Sequence, residues 1–237
     1  MEDATGNPVG HDRDLLVGID DAPPAPMQIG SPETGDFRGY EVDLLDEAAG
    51  RLGARVRYRR ALWSVIVGEL VSGKLDLICS ACTVTEARQS EVDFCEPHLN
   101  LQLAATRTRD NLRDIDLAGE RVGVRRGTTA ESYVRKQGRS ISITLSESND
   151  DLYKALAAKE LDVVVDDSPI ASYYSHAIPG LQLAGLVPGT DAAYAIMVRK
   201  GNAGLRDSFN RVLREMEHDG TLAKYRAVWF VRPQEVG

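Results

Sequence analysis

The sequence predicts an α/β fold made of two lobes, each a mostly parallel sheet flanked by helices. Strand-like and helix-like segments alternate near the start of the chain, and the same alternation begins again after residue 120. This alternation is typical of helices packed on a parallel sheet. Two extended segments without helical periodicity separate the alternating regions. Of the 237 residues, 43% are hydrophobic, which is enough to build cores for one large domain or two small ones.

The first alternating region begins with a short apolar run that ends at Asp20, followed by a loop rich in proline and glycine. Helical periodicity starts after Tyr40, and Gly53 ends it. The other elements predicted here are strands at residues 15–19, 56–58 and 75–79 and a helix at residues 65–71. A βαβαβ order of this kind predicts parallel strands connected by helices.

The second region repeats this order, and the chain then returns to the first lobe. Its predicted strands are residues 121–124, 141–144 and 161–165. Of its three predicted helices, the first ends near Lys136, the second covers residues 148–158 and the third begins at Ser168. Residues 203–229 predict two helices broken at Asp219-Gly220. Residues 14–104 and 195–231 are assigned to the first lobe, 105–194 to the second, and 1–13 and 232–237 to flexible ends. The extended crossings at residues 100–108 and 186–195 are predicted to act as a hinge.

The charge balance excludes one broad class of function. With 28 basic and 36 acidic residues, the chain has a formal charge of −8 and no basic block, so general nucleic-acid binding is not expected. No run of 18 apolar residues predicts a membrane span. The first thirty residues contain only a strand-like apolar run, so the protein is either cytosolic or exported by a signal that is not part of this sequence.

Several short segments resemble the motifs of one protein family and occur in the same order along the chain. FRGYEVDL at residues 37–44 is similar to the F-x-G-[FY]-x-V-D-L signature of bacterial extracellular solute-binding proteins of family 3. Further matching segments are residues 70–76, 80–88, 92–97, 122–129, 162–167, 198–202, 219–221 and 229–230. The resemblance extends over about residues 14–230 and implies a two-lobed periplasmic-binding-protein type II fold.

The resemblance also implies a function, a location and a partner. It predicts a non-enzymatic receptor that captures a free L-amino acid between the lobes for import by an ABC permease, with no cofactor and no metal. The receptor is expected to be monomeric, and to be periplasmic or lipid-anchored outside the cell. Two alternatives stay open: the extracellular sensor domain of a signalling receptor, and a dehydratase-like enzyme on the same fold.

The chemistry of a zwitterion identifies two charged candidate residues and one helix start as binding elements. The planar guanidinium of Arg88 can hold a carboxylate bidentately, and Asp167, at the end of an apolar strand, can hold an ammonium group. Thr128 and Glu131 form a predicted capping box, so the helix start at Gly127, Thr128 and Thr129 offers N–H groups to a carboxylate. The resemblance assigns Arg88 and Thr129 to the ligand carboxylate. It assigns Asp167 and the segment Ser80, Ala81, Cys82 and Thr83 to the ammonium group.

Each candidate also has a local structural explanation. Arg88 is a possible surface ion-pair partner, Asp167 and Thr128 are possible helix caps, and Trp63 is a possible core residue. The resemblance instead places Trp63 beside the ligand side chain. Asp20, which follows the first strand, is a possible partner for a basic ligand side chain. The family's usual aromatic residue is missing from residues 20–27, which leaves the identity of the amino acid open.

The cysteines leave two questions open. Cys79, Cys82, Cys95 and His98 have the spacing C-x2-C-x12-C-x2-H, which by itself is typical of a structural zinc site. A strand, a turn and a second strand account for the same residues, and cysteines are often small buried apolar residues. The three cysteines are compatible either with one disulfide and one thiol or with three thiols.

Overall fold

A computed structural model of the chain describes residues 13–138 and 140–230, which form two compact units. The first unit contains the described residues up to Leu99 and those from Ala193 onward, and the second contains residues 100–192. The sequence placed these boundaries at 104/105 and 194/195, so the second unit begins five residues earlier than predicted. The predicted flexible ends, 1–13 and 232–237, lie outside the described residues, except that Arg13 starts the first strand.

Twelve strands and eight helices occur in the described residues. The strands are β1 (Arg13–Asp20), β2 (Ala54–Ala61), β3 (Leu77–Ile78), β4 (Val92–Phe94), β5 (Leu99–Leu101), β6 (Leu103–Thr108), β7 (Arg121–Arg125), β8 (Ser142–Ser146), β9 (Val163–Asp167), β10 (Leu181–Leu186), β11 (Ala192–Tyr194) and β12 (Met197–Arg199). The helices are α1 (Tyr40–Arg51), α2 (Trp63–Val71), α3 (Glu86–Gln89), α4 (Thr129–Lys136), α5 (Asn149–Ala157), α6 (Ser168–Ala177), α7 (Ala203–His218) and α8 (Thr221–Phe230).

The sheet of the first unit has the strand order β2-β1-β3-β12-β4. β1 pairs in parallel with β2 and β3, whereas β12 runs antiparallel to β3 and β4. Leu15, Val17 and Ile19 alternate along β1 and are fully buried. Gly18 lies between two of them. A Cβ atom at this position would come within 2.5 Å of Leu75 Cδ1, so glycine allows the strand to pack closely against Leu75.

The sheet of the second unit has the order β10-β6-β9-β7-β8. β7 pairs in parallel with β8 and β9, and β6 runs antiparallel to β9 and β10. All five residues of β9 are buried, as expected for a central strand covered on both faces. The predicted α/β fold with two sheet-containing lobes is confirmed, but the prediction of mostly parallel sheets is wrong. Each sheet is mixed, with two parallel and two antiparallel strand pairs, because the strands β12 and β6 enter their sheets in the opposite direction to their neighbours.

The chain passes between the units in two short strands, β5 and β11, which pair with each other. The extended segment predicted at residues 100–108 is therefore mostly β6, a buried strand of the second sheet. Apolar periodicity identifies such a segment as extended but does not show which sheet it joins. Among the described residues, no helix combines the length and apolar character needed to cross a bilayer.

Candidate functional site

Arg88, the predicted carboxylate-binding residue, lies in the short helix α3 of the first unit. Thr85 caps this helix by accepting a hydrogen bond from the Arg88 N–H at 3.2 Å. The Arg88 guanidinium donates to the Thr83 carbonyl oxygen at 2.8 Å, and its carbon lies 4.9 Å from the centre of the Trp63 ring. The carbonyl and the aromatic face together orient the guanidinium. This half-buried arginine is therefore positioned by its neighbours.

Trp63 begins α2 and has contacts on two sides. It packs against the buried cluster that contains Ile66 and Leu70, and it also carries the Arg88 guanidinium over its ring. The core explanation for Trp63 is therefore partly correct, because one part of the indole is packed. Its predicted position beside a ligand side chain stays a prediction.

Hydrogen bonds within the first unit hold the segment that follows β3. Ser80 Oγ accepts from the Asp20 N–H at 3.0 Å and donates to Gln28 Oε1 at 3.1 Å. Ala81 has a left-handed φ of 51°, and its N–H donates to both carboxylate oxygens of Glu41 at 3.0 Å. Burial raises the pKa of Glu41 to about 7. The Ser80 hydroxyl and the Ala81 N–H thus shape this turn, and a non-glycine residue persists in such a conformation only where its surroundings hold it.

Three further candidates in the first unit are buried. The Asp20 carboxylate accepts from the Ala22 N–H at 3.0 Å, which stabilises the turn after β1. The Cys82 side chain belongs to the apolar cluster around Ile66, and Thr83 provides the carbonyl that holds Arg88. The ligand contacts predicted for Asp20, Cys82 and Thr83 stay predictions, and those of Cys82 are restricted to its backbone because its sulfur lies in the core.

The N-cap predicted at Thr128 in the second unit is confirmed, and the reciprocal bond of the predicted capping box is shifted by one residue. Thr128 Oγ1 accepts from the Glu131 N–H at 3.3 Å and donates to the Arg125 carbonyl at 2.7 Å. The Glu131 carboxylate accepts from the Gly127 N–H at 2.7 Å, one residue before the N-cap N–H that a standard capping box uses. The structure therefore supports capping roles for Gly127 and Thr128. Their predicted contacts with a ligand stay predictions.

Asp167 lies where β9 ends and α6 begins. It occupies the N-cap position, but its side chain makes no capping hydrogen bond. Thr129 Oγ1 instead donates to Asp167 Oδ1 at 3.5 Å, so the carboxylate lies beside the first turn of α4. Open α/β sheets bind polar ligands at such carboxyl ends of strands. The Asp167 side chain therefore does not cap α6, and the predicted ligand contacts of Asp167 and Thr129 stay predictions.

Asp166 lies directly behind Asp167 and is buried. Its carboxylate accepts hydrogen bonds from the Asp167 N–H at 2.8 Å, from Tyr153 at 3.4 Å and from Asn149. Burial, followed by the neighbouring charge of Asp167, raises the pKa of Asp166 to about 7. Asp166 therefore takes up or releases a proton near neutral pH and fixes the backbone that presents Asp167.

The raised pKa of Asp166 predicts a pH dependence of stability. Between its unfolded value of 3.8 and about 7, the folded state binds more protons, so the free energy of unfolding falls as pH rises. The slope from one group is at most about 1.4 kcal/mol per pH unit. We expect Asp166→Asn to reduce this loss of stability, measured by urea unfolding at about pH 5 and about pH 8. The exposed Asp151→Asn is the control and should keep the wild-type dependence; an unchanged dependence in Asp166→Asn would contradict the assignment.

The thiol state that the sequence left open is resolved. Cys79, Cys82 and Cys95 are all free and buried. Burial raises the pKa of both Cys82 and Cys95 to about 12, so these two thiols stay protonated at neutral pH.

Sequence reasoning missed two buried charged residues that shape these sites. Glu41 shares a helical face with Leu44, Leu45 and Ala48, and a carboxylate within an apolar stripe is the signal that could have identified it. Asp166 directly precedes the recognised Asp167. Its burial depends on the sheet, and the local sequence carries no sign of it.

The comparison with known families decides the classification. The model of the bacterial extracellular solute-binding proteins, family 3, matches residues 15–232. The chain belongs to this family. The match covers the segments on which the sequence resemblance rests and both units of the structure.

Individual relatives show which ligands occur in the family. The L-cystine-binding protein TcyJ of Escherichia coli K12 is 26% identical over 222 residues, which cover 91% of this chain and 82% of that protein. An ancestral arginine-binding protein solved with arginine is 30% identical with a TM-score of 0.84, covering 92% of this chain and 98% of that one. The ancestral amino acid-binding protein AncCDT-1, described as a precursor of cyclohexadienyl dehydratase, is 27% identical with a TM-score of 0.81, covering 92% and 95%.

Proposed function

We propose that this family member is a receptor that binds one free L-α-amino acid and delivers it to an ABC permease. The observation that carries the proposal is the pair of oppositely charged, positioned groups. Arg88 lies over Trp63 in the first unit, and Asp167 lies beside Thr129 in the second. A zwitterion needs one cation and one anion, and these two groups provide them.

The two charges lie on different units, so a ligand that binds both of them couples binding to a change of conformation. We propose that Arg88 binds the ligand carboxylate and Asp167 the ammonium group of the same molecule. A ligand that is bound by both units favours the conformation in which both sets of contacts are made. The extended segments that contain β5 and β11 are the proposed hinge, because the chain passes between the units there.

Location, oligomeric state and partner follow from the same proposal. A scavenging receptor meets its ligand outside the cytoplasmic membrane, so we propose a periplasmic or lipid-anchored protein that acts as a monomer. Family relatives that are named as binding proteins of ABC transporters support the permease as partner.

Calorimetry against the twenty common L-amino acids and L-cystine tests the proposal. The protein is first unfolded and refolded to remove any ligand carried through purification. We expect at least one amino acid to bind with a dissociation constant in the micromolar range or below. If a folded protein, checked by circular dichroism, bound none of them, the receptor proposal would be wrong.

The same samples separate binding from catalysis. Mass spectrometry of the ligand recovered after long incubation should show an unchanged amino acid. Because AncCDT-1 is described as a dehydratase precursor, a cyclohexadienyl acid is included as a second substrate. If the wild type dehydrated this acid faster than Arg88→Ala does, the protein would instead be an enzyme.

A further inference from the structure

Three side chains that can bind metals come together in the interior of the first unit. Glu41 belongs to α1, Cys79 follows β3, and His98 precedes β5. One possible ligand atom from each lies within 4.8 Å of those of the other two, and each residue is at most 1% exposed. This cluster differs from the set suggested by sequence spacing, because within the described residues Glu41 takes the place of Cys82 and Cys95.

His98 supplies a second and independent observation. Neither of its ring nitrogens has a hydrogen-bond partner among the described residues. Its Nε2 lies 3.7 Å from Glu41 Oε1, which is too far for a hydrogen bond. A buried polar group without a partner is costly and rare in proteins, and an ion is one of the recognised explanations.

We propose that Glu41, Cys79 and His98 bind a zinc-type divalent cation at a buried site separate from the amino-acid site. One imidazole, one thiolate and one carboxylate form a ligand set suited to zinc. Nitrogen and oxygen ligands at about 2.0–2.2 Å from a tetrahedral zinc are about 3.3–3.6 Å from one another, and the 3.7 Å between His98 Nε2 and Glu41 Oε1 is close to this range. The other separations between ligand atoms are at most 4.8 Å.

Charge and surroundings also fit a cation. A thiolate and a carboxylate together balance a charge of +2, so the occupied site would place no net charge in the core. Each ligand residue is anchored by a neighbour. Glu41 accepts from the Ala81 N–H, the Cys79 carbonyl from Gln28 Nε2 at 2.5 Å, and the His98 carbonyl from the Tyr40 hydroxyl at 2.8 Å. The Ala81 contact orients the Glu41 carboxylate, and the two carbonyl contacts fix the backbone that carries Cys79 and His98.

Cobalt is the first probe because its thiolate complexes are coloured. The full chain is treated with a chelator and a reductant, loaded with Co²⁺ and desalted. We expect one cobalt per chain, with a sulfur-to-cobalt charge-transfer band in the near ultraviolet. Cys79→Ser should lose the charge-transfer band, and His98→Gln or Glu41→Gln should weaken binding at least about tenfold. Cys95→Ser, which removes a thiol that is also buried, is the matched control and should keep the spectrum.

A measurement on the unmodified chain keeps the test decisive if a variant fails to fold. X-ray absorption of the Zn²⁺-loaded protein should show one sulfur at about 2.3 Å and nitrogen or oxygen at about 2.0–2.1 Å. A first shell without sulfur, less than one tightly bound metal per two chains, or a charge-transfer band that persists in Cys79→Ser would each overturn the proposal. The outcome is independent of amino-acid binding, because Arg88→Ala should load cobalt as the wild type does.

Discussion

Arg88→Ala should reduce amino-acid binding by about 30-fold or more. The guanidinium that the Thr83 carbonyl and the Trp63 ring position is the proposed partner of the ligand carboxylate. Removing one partner of a desolvated charge pair leaves the other buried without compensation, which typically costs about 2–5 kcal/mol. Calorimetry with the tightest-binding amino acid measures the loss.

Two variants and one ligand analogue make this result specific. Arg57→Ala removes an exposed arginine paired with Asp14 in the same unit and should bind as the wild type does. Arg88→Lys keeps the charge but loses the planar fork, so an intermediate affinity is expected. The α-carboxamide of the same amino acid should bind the wild type weakly and be affected little by Arg88→Ala, because the contact is then already absent. Wild-type affinity in Arg88→Ala would show that the carboxylate lies elsewhere.

The fold was predictable from the sequence where burial creates periodicity. The helix that begins after Tyr40 was located correctly because its apolar face is repeated every turn. β1 is longer than its apolar run, since it pairs with β2 over eight positions and its polar end residues also join the ladder. β10 was missed because it pairs with β6 through an irregularity between Leu183 and Gly185, which breaks the alternation.

The sequence names candidate site residues, whereas the contacts that position each of them are visible only in the structure. The spacing of Thr128 and Glu131 predicted a capping box, but only the structure shows that Glu131 binds the N–H of Gly127, which precedes the N-cap. The spacing of four Cys and His residues suggested a common site, but side-chain positions depend on tertiary contacts. His98 therefore meets Glu41, which is far from it in sequence.

Asp167→Asn should weaken amino-acid binding about 30-fold or more while leaving the fold intact. The substitution keeps the shape of the side chain and its ability to accept from Thr129, so the main change is the loss of the negative charge that we assign to the ligand ammonium group. Calorimetry measures the affinity, and circular dichroism with urea unfolding checks that the variant folds.

A ligand without its ammonium group distinguishes a charge contact from a general disturbance of the site. The des-amino analogue should bind the wild type poorly, because Asp167 would then be desolvated without a cation. Asp167→Asn should discriminate much less between the amino acid and this analogue, and the non-additivity of the two changes is the signature of direct contact. Asp166→Asn changes the adjacent buried carboxylate, whose Oδ1 position can still accept the Asp167 N–H, and should lose far less affinity. Equal losses of affinity in the two variants, or full additivity of Asp167→Asn with the analogue, would show that Asp167 does not bind the ammonium group.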